Sequence, residues 1–223
     1  MKKFFILHFK QLAYLIVLIG FSVSHAGSYD DFFKAIKSDH VAAIQQLLAR
    51  GFDVNTLDPQ GQHCLALAIR EPSPKVAKVL IEAPQIDLNV LNAQGESPLM
   101  LAALKGQLEL ADKMVKKGAD VNKPGWTPLH YAASNGHLPV IRLLLENHAY
   151  IDAESPNGST PLMMASMYGS PAAVKLLLDE GADPLLKNQQ GMTALQFAER
   201  ANRLDAAELI TKAMLSQRPA AKW

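Results

Sequence analysis

The chain has 223 residues and is close to neutral, with 22 Lys and Arg against 21 Asp and Glu and a formal net charge of +1. Cys64 is its single cysteine, so no disulfide can form within the chain and no Cys-x-x-Cys metal site exists. A near-neutral chain without a basic stripe gives little support to nucleic-acid binding.

The first 26 residues differ in character from the rest. Three lysines precede an apolar run without charges, residues 12–21, and the tripeptide Ser-His-Ala at 24–26 fits a small-x-small cleavage rule. This arrangement predicts a secretory signal peptide, residues 1–26, cut after Ala26. An uncleaved membrane helix is the alternative, but the uncharged run is shorter than the roughly 18–20 residues that a span needs. Cleavage leaves 19 Lys and Arg against 21 acids, a formal charge of −2, and no membrane span.

The remainder of the chain repeats itself. A glycine followed by a Thr-Pro-Leu-like step returns every 30–34 residues, and the leucine of that step is followed by an alanine three residues later. The glycines are Gly61, Gly95, Gly125, Gly158 and Gly191. A period of this length indicates supersecondary units that bury their apolar faces only by stacking on their neighbours.

Each unit predicts two helices. In the unit after Gly125, Thr127 is typical of a helix cap and Pro128 of the first helical residue, where its missing N–H costs nothing. A second apolar-periodic segment, residues 138–146, predicts the partner helix. The glycine of Gly-Ala-Asp ends that helix in other units, and His148 stands in its place here.

The period and the segments "TPLHYAA", "GHLPVIRLLL" and "GADVN" resemble the ankyrin repeat family over nearly all of the chain after residue 27. The resemblance implies an all-α ankyrin-repeat solenoid of about six helix-turn-helix units with short β-hairpin-like fingers. We assign the repeat domain to residues 27–215 and a flexible tail to 216–223. The units are 28–57, 58–91, 92–122, 123–154, 155–187 and 188–215.

Several units depart from the pattern. The first carries Phe32 at the leucine position and lacks a finger, as an N-terminal capping repeat does, and the last carries Ala194 in place of proline, as expected of a C-terminal cap. The second unit has one extra residue near Pro84. The finger before Gly125 is three residues shorter than the one before Gly95, which predicts an altered finger there.

Motifs for catalysis are absent from the sequence. It has no Gly-x-Ser-x-Gly, no phosphate loop and no dinucleotide fingerprint, and its histidines lack metal-ligand spacing, so we expect no enzyme activity, no cofactor and no metal. In ankyrin repeats the histidine at the place of His130 bonds backbone of the neighbouring finger. One alternative stays open, an enzyme or a redox or cofactor-dependent envelope protection factor that uses His63 and Cys64. A buried Cys64 would weigh against it, because a thiol needs exposure and a lowered pKa to react.

A solenoid of this family implies a partner protein bound by the finger tips and the concave face. The positions that vary within the repeat frame are the candidate contacts: Gln60, Gln62, Arg70, Gln94, Glu96, Leu104, Lys105, Trp126, Met167, Tyr168 and Met192. Large apolar groups at positions expected to face solvent tend to mark interaction surfaces. We therefore expect Trp126, Met167 and Tyr168 to form the centre of the binding face; the alternative for Trp126 is local packing on the shortened finger.

Together these features predict an exported, monomeric protein–protein interaction module, of the kind seen in bacterial envelope proteins. The periplasm is the expected location, with full secretion as the alternative. The partner itself is not identified by the sequence.

Overall fold

The computed structural model describes residues 27–216. The predicted signal peptide and the C-terminal residues 217–223 therefore lie outside the described residues. The chain divides into two compact units, with the boundary between Ile86 and Asp87. Within residues 27–216 the structure is all-helical, and the only β pairing is an isolated antiparallel bridge between Leu57 and His63. The predicted fold class is confirmed.

The first compact unit, which ends at Ile86 and holds the helices of the first two repeats, contains two helix pairs. Its helices are α1 (27–37), α2 (Val41–Ala49), α3 (Cys64–Arg70) and α4 (Pro74–Glu82). Phe32 is fully buried and its ring lies 4.5 Å from that of Phe52, so it fills the place that leucine takes elsewhere, as predicted for the first repeat.

The second unit contains four helix pairs arranged in two layers. The first helix of each pair forms one layer, here called the inner layer, in the order α5, α7, α9 and α11. The second helices, α6, α8, α10 and α12, form the outer layer. The helices are α5 (Pro98–Leu104), α6 (Leu108–Lys116), α7 (Pro128–Ser134), α8 (Leu138–Glu146), α9 (Pro161–Tyr168), α10 (Pro171–Asp179), α11 (Ala194–Arg200) and α12 (Leu204–Ser216). Helix α12 includes Ser216, the first residue of the predicted tail, and the rest of that segment lies outside the described residues.

Helix α7 begins at the predicted cap, and α10 begins in a similar way. Thr127 caps α7 with Pro128 as the first helical residue, and Ser170 caps α10 by accepting a hydrogen bond from the N–H of Ala173. Helix α10 ends before Gly181, whose φ of 97° lies in the left-handed region, and α8 ends before His148 with φ 65°. Histidine thus takes a conformation that glycine adopts at lower cost.

The repeat also explains the core. The leucines of the inner layer, Leu99, Leu129 and Leu162, are fully buried, and so are Leu144 and Leu177 of the outer layer. Their burial follows from the 3.6-residue period, which places them on the faces that the two layers share. Among the described residues no helix is long and apolar enough to cross a membrane.

Candidate partner-binding site

The regular fingers share one hydrogen-bond pattern. Their base residue, three places before the glycine, pairs through its own N–H and carbonyl with the chain on the far side of the turn. Its side-chain oxygen accepts an N–H from the residue four places on, at 2.7–3.0 Å. The base residues are Asp58, Asn92, Ser155 and Asn188. This is the Asx- or Ser-turn bonding by which such residues stabilise tight turns.

The finger before Gly125 lacks this pattern. The residue three places before the glycine is Asn122, and its amide bonds the following loop instead, accepting from the N–H of Tyr150 at 2.8 Å and donating to the carbonyl of His148 at 2.8 Å. The ammonium of Lys123 donates to the carbonyl of Trp126 at 3.2 Å and bridges the shortened loop. The prediction of an altered finger is confirmed.

Trp126 follows this short finger and packs against α7. It is half-buried, and its ring stands edge-on to the rings of His130, with centroids 5.2 Å apart, and Tyr131, at 6.4 Å. The alternative for Trp126 was local packing on the shortened finger, and the ring does pack locally, but against helix α7. This packing does not remove the ring from the surface, because part of the side chain stays accessible.

His130 ties α7 to the next finger. Its Nε2–H donates to the carbonyl of Ser159 at 2.9 Å, while Nδ1 accepts from the N–H of Thr127 at 3.2 Å. Burial lowers the pKa of His130 to about 4, so the ring is neutral at pH 7. The prediction that this histidine bonds the neighbouring finger is confirmed.

Tyr131 forms the next wall. Its hydroxyl donates to one carboxylate oxygen of Glu96 at 3.1 Å, and the amide of Asn92 donates to the other at 2.8 Å. Burial, reinforced by the charge of Glu96, raises the pKa of Tyr131 to about 12. The phenol is therefore neutral over the whole physiological range.

These side chains enclose a cleft of about 280 Å³ on the inner layer of the second unit. Its lining comes from three neighbouring repeats and consists of Leu104, Trp126, His130, Tyr131, Ser134, Met164 and Tyr168. We call it the aromatic cleft. Tyr168 is 60% exposed at its rim. Three of the predicted contact residues, Leu104, Trp126 and Tyr168, are thus brought together.

The other predicted contact residues lie outside the aromatic cleft. Met167 is half-buried and does not line it; Met164, one helical turn earlier, does. Glu96 stands behind Tyr131. Lys105 and Gln94 are exposed, and the half-buried Met192 accepts an N–H from Arg200 through its sulfur at 2.9 Å. Three more lie in the compact unit that ends at Ile86, namely Gln60, Gln62 and Arg70. There Arg70 donates to the side chain of Gln62 at 3.1 Å.

Tyr131 and Met164 were missed by the sequence reasoning although a signal existed. Both stand six residues after the glycine of their unit, so the repeat superposes them. Tyr168 is the last residue of α9, which runs one residue longer than α5 and α7. The following Gly169 packs so tightly that a Cβ there would collide with the carbonyl of Ala133.

His63 and Cys64 give no support to a nucleophilic site. Cys64 is fully buried and its thiol donates to the carbonyl of Val54 at 2.7 Å. Burial raises the pKa of the thiol far above its usual value, so no thiolate forms near pH 7. The His63 ring caps α3 by accepting the N–H of Leu65. Among residues 27–216 no group of three or more His, Cys, Asp or Glu is placed to hold a metal ion.

Family comparisons agree over most of the chain. Residues 84–155 and 147–218 match a model described as ankyrin repeats (3 copies), and residues 47–102 match ankyrin repeats (many copies). The mouse B-cell lymphoma 3 protein homolog is 31% identical over 169 residues, which is 73% of this chain and 38% of that protein. The chain therefore spans well under two thirds of the curated relatives that it matches first.

Solved structures extend the match to the three-dimensional fold. An ankyrin repeat domain from Acinetobacter baumannii AYE superposes with a TM-score of 0.72 at 28% identity, over 82% of this chain and 97% of that chain. A chain from the structure titled a predatory endopeptidase from Bdellovibrio bacteriovorus in complex with an immunity protein superposes with a TM-score of 0.70, also at 28% identity. This match covers 82% of this chain and 97% of the chain from that complex.

Proposed function

This chain belongs to the ankyrin repeat family, whose repeats are protein–protein interaction modules, and we propose that it is an exported, non-catalytic protein that binds a partner protein through the aromatic cleft. The fold is generally a non-enzymatic interaction scaffold. The single observation that carries the proposal is the meeting of Trp126, Tyr131 and Tyr168 around an accessible cleft.

The composition of the aromatic cleft supports a protein partner. Trp and Tyr dominate binding hot spots because they bury large areas while losing few rotatable bonds. A contiguous apolar cleft of this kind buries more apolar area against a complementary surface than scattered exposed apolar residues do. The proposal therefore places the hot spot at Trp126 and Tyr168, with the polar finger tips as its rim.

Export rests on the sequence of the first 26 residues. The lysines, the short uncharged run and the Ser-His-Ala step at 24–26 are the three regions of a cleaved signal peptide. The proposed mature protein begins at Gly27 and acts as a monomer in the periplasm or outside the cell. Mass spectrometry of the protein from its native host should find Gly27 as the first residue; intact chain beginning at Met1 in the membrane fraction would contradict export.

Partner binding is tested by capture from the envelope extract of the host, with two matched variants as bait. Tyr168→Ser alters an exposed side chain of the aromatic cleft, and Tyr150→Ser alters a tyrosine that is 69% exposed and does not line it. We expect the partner to be lost with Tyr168→Ser and retained with Tyr150→Ser. Equal retention by both variants would remove the aromatic cleft from the proposal.

A second candidate is inhibition of a peptidase. The observation that favours it is the match to 97% of one chain in a solved complex of an endopeptidase with an immunity protein. Under this candidate the partner is a peptidase of the envelope, and binding blocks its action. Added protein should lower the endopeptidase activity of the envelope extract, and Tyr168→Ser should not; an activity that is unchanged by the unaltered protein would reject this candidate.

A further inference from the structure

The size of the aromatic cleft restricts its occupant. Its volume of about 280 Å³ lies just below the roughly 300–1,000 Å³ of sites that take drug-sized molecules. The space corresponds better to one large side chain than to a whole cofactor. An occupant that enters from a partner surface can leave its backbone outside, above the exposed rim at Tyr168.

The charges around the aromatic cleft are already hydrogen-bonded within the protein. Both carboxylate oxygens of Glu96 accept hydrogen bonds, from Tyr131 and Asn92. The ammonium of Lys123 donates to two backbone carbonyls of the short finger. His130 is uncharged. The described residues that line the aromatic cleft include no charged side chain, so a charged occupant would lose its hydration without direct contact to a counterion, and burying an uncompensated charge is costly.

The lining favours an aromatic occupant over an aliphatic one. The Trp126 and Tyr131 rings contact each other edge to face, at 75° with centroids 6.4 Å apart, and both line the aromatic cleft. Aromatic pairs in edge-to-face contact gain free energy beyond the area they bury. Met164 adds a thioether, which also contacts aromatic rings favourably.

Ser134 adds a polar preference. Its hydroxyl donates to the carbonyl of His130 at 2.8 Å, so its proton is committed while its oxygen lone pairs can still accept a hydrogen bond. Ser134 lines the aromatic cleft, so its oxygen can accept a hydrogen bond from an indole N–H or a phenol O–H that enters the cleft. Phenylalanine could fill the same space but would leave this acceptor unused.

We infer that the aromatic cleft receives one uncharged tryptophan or tyrosine side chain of the partner protein, stacked among Trp126, Tyr131 and Tyr168 and hydrogen-bonded to Ser134. The inference rests on the proposed function, and it names the chemistry that the partner presents. The cleft is thus a specific pocket for one anchor residue with a polar tip.

The test uses small probes and a single reporter. The protein has two tryptophans, Trp126 and Trp223, so Trp223→Phe in the full chain leaves one indole N–H signal, which reports on the aromatic cleft. The probes are N-acetyltryptophanamide, N-acetylphenylalaninamide, N-acetylleucinamide and tetramethylammonium, each titrated while the indole signal is followed by NMR. We expect saturable shifts with the tryptophan probe, weaker ones with the phenylalanine probe, and none with the other two.

Two further variants in the Trp223→Phe background assign the effect. Tyr168→Ser should weaken the tryptophan probe by about tenfold, because one ring of the stack is lost. Ser134→Ala should bring the tryptophan probe to the level of the phenylalanine probe. Tyr150→Ser is the matched control and should leave every titration unchanged.

The outcomes separate this inference from the proposed function. Shifts with tetramethylammonium equal to those with the tryptophan probe would overturn the inference in favour of a cation bound by the rings. Absence of any shift, while Tyr168→Ser still abolishes partner capture, would overturn the inference and leave the proposed function standing. Saturable probe binding together with undiminished capture by Tyr168→Ser would instead reject the proposed function.

Discussion

The short finger before Gly125 and the regular finger before Gly158 solve the same problem in different ways. In the regular finger Ser155 closes the turn with its own backbone and side chain. In the short finger the ammonium of Lys123 bridges the loop, and Trp126 packs on the rings of α7. The regular turn is therefore stabilised by its own base residue, whereas the finger that is three residues shorter is stabilised by contacts with its helix. The same contacts place a tryptophan beside the aromatic cleft.

The two fingers nonetheless stand above the same core. Leu129 below the short finger and Leu162 below the regular one are both fully buried. Truncation of either to alanine should lower the free energy of unfolding by roughly 2–5 kcal/mol, because it removes buried methyl groups and leaves a cavity. Denaturant unfolding of both variants measures this. A much smaller loss at Leu129 than at Leu162 would mean that the short finger loosens the packing below it.

Acid should distinguish the two repeats more sharply. His130 has a folded pKa of about 4, below its unfolded value near 6.5, so the unfolded chain binds more protons between these values. The stability contributed by the neutral ring is complete above pH 6.5. It falls by roughly 3 kcal/mol as the pH drops to about 4, and the loss then levels off.

The regular repeats provide the matched variant for that experiment. Met163 occupies the same place in α9, and its sulfur accepts the N–H of Thr160, as the ring of His130 does for Thr127. His130→Met should cost about 1 kcal/mol at pH 7, since the carbonyl of Ser159 loses its donor. The difference in stability between the two proteins should shrink or reverse by pH 4. A difference that stays constant from pH 7 to pH 4 would show that His130 is not the acid-sensitive group.

The turns themselves should show the smallest contrast. Asn188 is buried and accepts two backbone N–H groups of its finger, so Asn188→Ala should cost about 1–2 kcal/mol. Lys123→Met keeps the length of the side chain and removes only the ammonium of a half-buried group, so it should cost less than about 1 kcal/mol. Thermal unfolding and amide exchange of the finger residues compare the two; an equal loss would mean that Lys123 closes its finger as firmly as an Asx turn does.

Most of the fold could be predicted from the 30–34-residue period of the sequence. The period predicted the helix start at Thr127 and Pro128 and the cap position of His148, because these depend on local chemistry that recurs with the repeat, and the altered finger, because its length departs from the period. The aromatic cleft was predicted only in part. Met164 and Tyr131 were missed because which side chain borders a cleft depends on the packing of adjacent repeats, and Met167 was included because the repeat frame alone marked its position as variable.

The central claim is that Trp126 serves recognition and not only the packing of its finger. Titration calorimetry of the captured partner against Trp126→Ala tests it directly, at a temperature below the melting transitions of both proteins. We predict a loss of binding free energy of at least about 2 kcal/mol, the usual threshold for a hot spot, with a folded variant. Binding that is unchanged while the variant melts earlier would show that Trp126 is finger packing alone and would contradict the account.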